Sequence, residues 1–307
     1  MQTLPKCFLL PVDGTNESLR PAGFLRRLYP PSEISLILGR FSTPPPSVYT
    51  DGLVHSPRMQ AKRLQFLEQQ KEDEHRIFRH ALETLTKEGF SKPLIQQHSE
   101  PNQMGVAKQA CLLGDLRKVD AIVVPKQVRA NLEDLMRSNP SSELALHCLR
   151  CPIWLTQGEI EPQKAALYIA DEEGSIRIAD HAGFMLLNTG TTVDLVCTAP
   201  RLSHPASCRP SQAPRELAGL LSRTQLSRLL KAYQILTDNG MAEDQIRITL
   251  IADTGDTIAS LLAWCASNGI GIIGLGRSRK ESIFRFPKTT VAGKIASDFK
   301  NMAVWIA

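Results

Sequence analysis

The stretch Phe8-Leu9-Leu10-Pro11-Val12-Asp13-Gly14 decides the fold, because Ala166-Leu167-Tyr168-Ile169-Ala170-Asp171-Glu172 echoes it in the second half of the chain. Each is a short apolar run that ends on an acidic residue and a polar turn. Neither alternates polar with apolar positions, so each reads as a strand covered on both faces. A helix-like segment follows each run. Leu19, Phe24, Leu25 and Leu28 stand at helical spacing in the first half, and residues 178–187 match them in the second.

The echo continues outward from there, and a repeat of this kind sets the architecture before any single motif does. Second strands follow at Ile34-Ser35-Leu36-Ile37-Leu38 and Val193-Asp194-Leu195-Val196-Cys197. Pro- and Ser-rich stretches come next, at residues 42–57 and 200–214. Proline fixes φ and removes a donor, so neither stretch is expected to be helix or central strand. Amphipathic helices then carry Phe78, Ala81, Leu82 and Leu85 ahead of Gly89, and Leu226, Leu229, Leu230, Tyr233 and Leu236 ahead of Gly240. Third strands are expected at 93–97 and 246–251, helices at 105–118 and 257–267, and fourth strands at 120–124 and 270–273. A last helix and a short strand close each copy, Ile153-Trp154-Leu155 in one and Val304-Trp305-Ile306 in the other.

Strand and helix alternate through both halves. That order predicts an α/β chain of two tandem open parallel five-stranded sheets flanked by helices, because right-handed crossovers put helices on both faces. The copies are residues 1–157 and 164–307, with a polar linker over 156–163. In such sheets a ligand binds at the carboxyl ends of the strands, where the strand order reverses.

Composition agrees with a globular chain. The 307 residues are 42% hydrophobic and 22% charged, with a net charge of +5. This mildly basic balance does not argue for nucleic acid, and the one dense basic stretch runs from residue 277 to 288. No segment approaches the roughly 20 apolar residues a membrane helix needs. The run Cys7–Leu10 is too short for a signal-peptide core, and a cytoplasmic location is expected. Seven cysteines, an odd number, suggest reduced thiols and no disulfide framework. Cys148 and Cys151 form a C-x-x-C, read as structural. A zinc site would need a second pair, and a redox pair would open a helix after a strand.

The order and its landmarks resemble the universal stress protein family, in two copies over nearly the whole chain. The residues that carry the resemblance are Asp13 and its counterpart Asp171, the run Asp120-Ala121-Ile122-Val123-Val124, and the closing Arg150-Cys151-Pro152-Ile153-Trp154. The resemblance implies the adenine nucleotide alpha hydrolase-like fold of that family. It also implies pairing through the last strands, here as an internal pseudo-dimer with Trp154 and Trp305 in the seam.

ATP-binding members of the family carry Gly, two residues, Gly, about nine residues, then Gly-Ser or Gly-Thr at a helix start. Glycines let the backbone approach the phosphates, and the helix N-terminus offers unpaired N–H groups. The first copy lacks the pattern. Pro125-Lys126-Gln127 follows its fourth strand, Asn139-Pro140-Ser141-Ser142 stands near the expected helix start, and Asp13 is left as a vestige. The second copy keeps part of it. Gly274-Leu275-Gly276-Arg277 follows the strand, and Thr289-Thr290 comes a few residues late. The candidate ligand residues are Asp171, Gly274, Gly276, Arg277, Lys280, Thr289 and Thr290. The positive charge near this loop would suit a phosphate-bearing or other anionic group.

Other chemistry is set aside. His75 and His80 are five apart on a charged helix, and His147 beside Cys148 lacks further ligands, so no metal site is expected. The charged segment 68–74 reads as a solvated helix face. No G-x-S-x-G, G-x-x-x-x-G-K-[ST] or H-E-x-x-H occurs, and the clustered Gly271, Gly274 and Gly276 follow the fourth strand of a copy and do not form G-x-G-x-x-G. What the resemblance implies is a non-enzymatic, stress-associated binding or regulatory module, with no nucleic acid or membrane partner and a homodimer of chains left open. The alternative is a nucleotide switch, ATP being its cofactor, or a slow ATPase, working through the second copy. An adenylyl-transferring enzyme is a third, weaker reading, because neither first turn shows the expected histidine or glycine-rich pattern.

Overall fold

The computed structural model describes residues 5–46, 56–126, 151–170, 173–199, 202, 204–252, 255–277 and 298–307. The chain divides into two compact units, Met1–Pro125 and Lys126–Ala307.

In the first unit β1 (Lys6–Pro11), β2 (Ile34–Ser42), β3 (Ile95–Pro101) and β4 (Ala121–Pro125) form a sheet in the order β3-β2-β1-β4. All three pairings are parallel. Phe8, Leu9 and Leu10 at its centre are fully buried, as their unbroken apolar run predicts. Between the strands run α1 (Asn16–Leu28), α2 (Pro57–Lys87) and α3 (Val106–Arg117). Helix α2 is far longer than its apolar face suggests, since its buried residues are Ile77, Phe78, Ala81 and Leu85. The charged segment 68–74 lies on its outer part, where Glu74 accepts a hydrogen bond from the Ser99 hydroxyl at 2.7 Å. Asp120 locks the start of β4 to β1. Its carboxylate accepts the Cys7 N–H at 2.7 Å, and its own N–H donates to the Cys7 carbonyl at 2.8 Å.

The second unit contains β5 (Ile153–Gln157), β6 (Lys164–Tyr168), β7 (Thr192–Ala199), β8 (Ala206–Cys208), β9 (Ile246–Ala252), β10 (Ile272–Leu275) and β11 (Met302–Ile306). Their order is β5-β11-β10-β6-β7-β9-β8. The pairings are parallel except at the two ends, where β5 runs antiparallel to β11 and β8 antiparallel to β9. The helices are α4 (Gly174–Leu186), α5 (Ala213–Glu216), α6 (Arg223–Asp238) and α7 (Thr257–Asn268). The chain is thus a mixed α/β protein with a parallel-dominated sheet and flanking helices.

Some boundaries differ from the sequence reading. The closing strand of the first repeat, β5, belongs to the second compact unit, because its antiparallel ladder with β11 gathers its contacts there. The second proline-rich stretch was expected to be irregular, yet it holds an edge strand, β8, and one helical turn, α5. Both are compatible with proline: β8 sits at the sheet edge, and Pro214 occupies the first turn of α5, where its missing N–H has no intrahelical partner to lose. The expectation of reduced thiols holds for Cys7, Cys151, Cys197, Cys208 and Cys265 and fails at Cys111, which is disulfide-bonded. Spacing in the sequence does not reveal which thiols the fold brings together.

Candidate functional site

Reversal of strand order places the candidate crevices. In the first unit β1 has β2 on one side and β4 on the other; in the second, β6 lies between β7 and β10. The carboxyl ends of β1 with β4, and of β6 with β10, are therefore the positions where a sheet of this kind takes a ligand.

In the first unit the turn after β1 is engaged with itself. One carboxylate oxygen of Asp13 accepts from the Thr15 N–H at 2.9 Å and from the Thr15 hydroxyl at 2.6 Å. Burial alone would raise this carboxyl, but the Thr15 hydroxyl and backbone donors outweigh it and hold the group below the usual aspartate range. Thr15 in turn caps α1 by accepting the Ser18 N–H. Gly14 sits at φ +91°, and a Cβ there would meet Ile77 of α2 at 2.7 Å. Asp13 is therefore a turn-former, and it is Gly14 beside it that lies against α2.

In the second unit the two candidate glycines differ in purpose. Gly274 lies inside β10, two residues earlier than a loop position, because the strand extends to Leu275. A Cβ at Gly274 would stand 2.4 Å from Leu167 Cδ2 and 2.9 Å from Ile178 Cγ1, so this glycine makes room for the core. Gly276 does bring backbone to backbone. A Cβ there would stand 2.0 Å from the Gly174 carbonyl, and one at Gly174 would stand 2.2 Å from the Arg277 carbonyl oxygen. The segment leaving β10 thus lies directly on the first turn of α4. That helix starts with no side-chain cap hydrogen bond at Glu173, unlike α1, α6 and α7. Ser175 instead closes the preceding turn, accepting from the Ala170 N–H at 2.9 Å and donating to the Ala170 carbonyl at 3.2 Å. Sequence reading missed Gly174; the signal available was a small residue at a helix start facing a Gly-x-Gly.

Arg277 comes next. Its N–H donates to the Ala307 carbonyl at 2.8 Å, which prolongs the β10–β11 ladder and fixes the residue's backbone. The side chain keeps a minor share of its surface, but Nε and Nη2 have lost contact with solvent and find no hydrogen-bond partner among the described residues. Burial pulls the guanidinium down to about 10, only partly opposed by the nearby Cys151.

The first copy has an equivalent position. Lys126 donates its N–H to the Thr156 carbonyl at 2.8 Å, the same bond that Arg277 makes to the strand after it. Here the charge has protein partners. Lys126 Nζ donates to the Phe299 carbonyl at 2.8 Å and lies 4.5 Å from the centre of the Phe299 ring. Burial lowers its pKa, and Asp298 counteracts this.

The closing strands meet through tryptophans. Trp154 and Trp305 are directly opposed across β5 and β11, their rings parallel within 4° and 3.9 Å apart. Trp154 Nε1 donates to His181 Nε2 of α4 at 3.0 Å. Trp305 Nε1 is buried with no partner among the described residues.

The fold finds its match among solved structures. A universal stress protein from Archaeoglobus fulgidus superposes with a TM-score of 0.57 at 9% identity, over 99% of this chain and 96% of that one. The chain has the universal stress protein fold. A protein of unknown function from Pseudomonas aeruginosa also matches, with a TM-score of 0.51 at 13% identity over 98% of this chain and 92% of that one. No family model matches the sequence, and no curated protein does.

Within the universal stress protein fold, the residues proposed for the ligand divide. Gly276 and Arg277 stand together at the end of β10, and Gly274 lies two residues before Gly276, inside the strand. Asp171, Lys280, Thr289 and Thr290 lie outside the described residues, as do Cys148 and His147. Among the described residues no three His, Cys, Asp or Glu side chains cluster as a metal site would need, and no helix is long and apolar enough to cross a membrane.

Proposed function

We propose that this chain is a non-enzymatic, stress-response binding and regulatory protein built from two copies, residues 1–157 and 164–307, of which the second takes an anionic ligand and the first does not bind ATP. The observation that carries this reading is the contrast at one backbone position. Lys126 has its charge satisfied by a carbonyl and a ring, whereas two donors of Arg277 find no partner among the described residues. The first copy also places Val123 and Pro125 where the second has Gly274 and Gly276, on the register that equates Lys126 with Arg277. Pro125 removes an N–H that a phosphate would want.

A second reading makes the second copy a nucleotide switch, with ATP held by Asp171, Gly274, Gly276, Arg277, Lys280, Thr289 and Thr290. The start of α4 favours it, since that helix has no side-chain cap at Glu173 and begins beside Gly276, and a helix N-terminus suits phosphate. The packing duty of Gly274 weighs against a family-type phosphate loop.

Calorimetric titration of the purified chain with ATP separates the two, together with mass spectrometry of small molecules released on denaturation. The leading reading expects no micromolar ATP site. One micromolar site per chain would replace it with the nucleotide switch.

A further inference from the structure

We propose that the outer part of α2, residues 57–76, is a docking surface for a second copy of this chain, with the same segment of that copy lying antiparallel on it. The pairing concerns the first unit alone and does not depend on which copy takes a ligand.

Helix α2 has 31 residues, whereas α6, the corresponding helix of the second repeat, has 16. The buried side chains of α2 begin at Ile77, so the segment 57–76 contributes none to the core. At 1.5 Å per residue that segment is roughly 30 Å long. Helices of this length owe most of their stability in water to the packing of one face. Local chemistry at the start of α2 does not make up for it. No side chain caps the helix at Ser56, and its first turn carries Arg58 and no acidic residue, the wrong sign for the positive end of a helix. By contrast, α6 opens on a capping box formed by Ser222 and Gln225.

The charges of the segment are sorted along its length. Arg58, Lys62 and Arg63 stand in 57–67 with no acidic residue among them, while in 68–76 Glu68, Glu72, Asp73 and Glu74 outweigh Lys71 and Arg76. Arg58 with Lys62, and Glu68 with Glu72, are like charges at i,i+4, which weakens a helix standing alone. Asp73 is engaged by Arg76 at 2.7 Å, and Glu74 by the Ser99 hydroxyl. The side chains of Arg58, Lys62, Arg63, Glu68 and Glu72 are exposed and make no hydrogen bond or ion pair among the described residues.

An antiparallel second copy answers all of this at once. Two-fold symmetry lays the basic half of each helix along the acidic half of the other, whereas a parallel copy would set like charge against like. Leu64 and Leu67 lie where the two halves meet, one helical turn apart. Leu64 is 65% exposed and Leu67 half-buried. In the antiparallel pair Leu64 of each copy lies beside Leu67 of the other, which gives the contact an apolar centre and a charged rim.

The test is sedimentation-velocity ultracentrifugation of the full chain up to high-micromolar concentration. The wild type is expected to form a dimer that weakens as salt is added. Leu64→Asp places a charge at the centre of both helices and should weaken the dimer at least about tenfold. Lys62→Glu with Arg63→Glu makes both halves of the segment net acidic, and Glu68→Lys with Glu72→Lys makes both net basic. Each double variant alone is expected to be a monomer, with wild-type circular dichroism because all four positions are exposed. An equal mixture of the two is expected to recover the dimer. A wild type that stays monomeric in low salt would overturn the pairing and leave the segment to a different protein. Double variants that dimerise alone as the wild type does would overturn it in favour of another face, and a mixture that stays monomeric would show that charge does not direct the contact.

Discussion

Lys126 and Arg277 occupy the same place in two repeats, and so do Trp154 and Trp305. In each pair one member is satisfied by the protein and the other is not. Lys126 donates to the Phe299 carbonyl, while two donors of Arg277 have no partner among the described residues; Trp154 donates to His181, while Nε1 of Trp305 has none among them. The backbone bonds at the two positions match, and the polar chemistry on them differs. A position whose polar group is answered internally reads as structure, and one left open in a buried place calls for an explanation.

The contrast is broken most directly at the glycines. Gly276→Ala would press a methyl group into the Gly174 backbone 2.0 Å away, where no flexible side chain can yield. A loss of about 3 kcal/mol is expected, the upper end of overpacking costs. Pro125→Gly at the matching place should change stability by no more than about 1 kcal/mol, the scale of glycine's added chain entropy. Urea unfolding of both variants decides it, and equal losses would show that the two strand ends are built alike after all.

The tryptophans give a smaller difference. Trp154→Phe removes a ring edge and the hydrogen bond to His181, whereas Trp305→Phe removes a ring edge and a donor with no partner among the described residues. Trp154→Phe should therefore be the more destabilising by about 1 kcal/mol, the net worth of a typical buried hydrogen bond. If Trp305→Phe proves the costlier, its Nε1 has a partner after all.

The smallest effect concerns the turn after β1. Thr15→Ala removes the α1 cap and should cost about 1 kcal/mol at neutral pH. It also removes the hydroxyl that helps to hold Asp13 low. An aspartate whose folded pKa is depressed contributes stability that is fully present above its unfolded value and is lost as the pH falls through the folded one. The gap between wild type and Thr15→Ala should therefore narrow on acidification below about pH 4, the usual aspartate range. A gap that stays constant down to pH 3 would mean that Thr15 acts through the cap alone.

Much of the fold was legible before any coordinate. Phe8, Leu9 and Leu10 announce a buried strand because parallel strands under helices carry no polar alternation, and all three are fully buried. Gly89 and Gly240, placed at helix ends by the same reading, adopt φ of +94° and +97°. The length of α2 was not legible, since a helix without buried residues over its first turns leaves no apolar period to read. The site was half legible. Gly276 and Arg277 stand where the glycine pattern pointed, but nothing in the order of residues tells Gly274, which makes room for Leu167 and Ile178, from Gly276, which lets two backbones touch.

The sequence by itself determined the repeated strand–helix order and the loss of glycine after β4, because period, burial and backbone freedom are local properties written residue by residue. Only the tertiary structure decided that Lys126 meets Phe299 across 173 positions while Nε and Nη2 of Arg277 find no hydrogen-bond partner among the described residues. Whether a buried donor is satisfied depends on what the fold brings within about 3 Å of it, and that distance has no counterpart in the order of the residues.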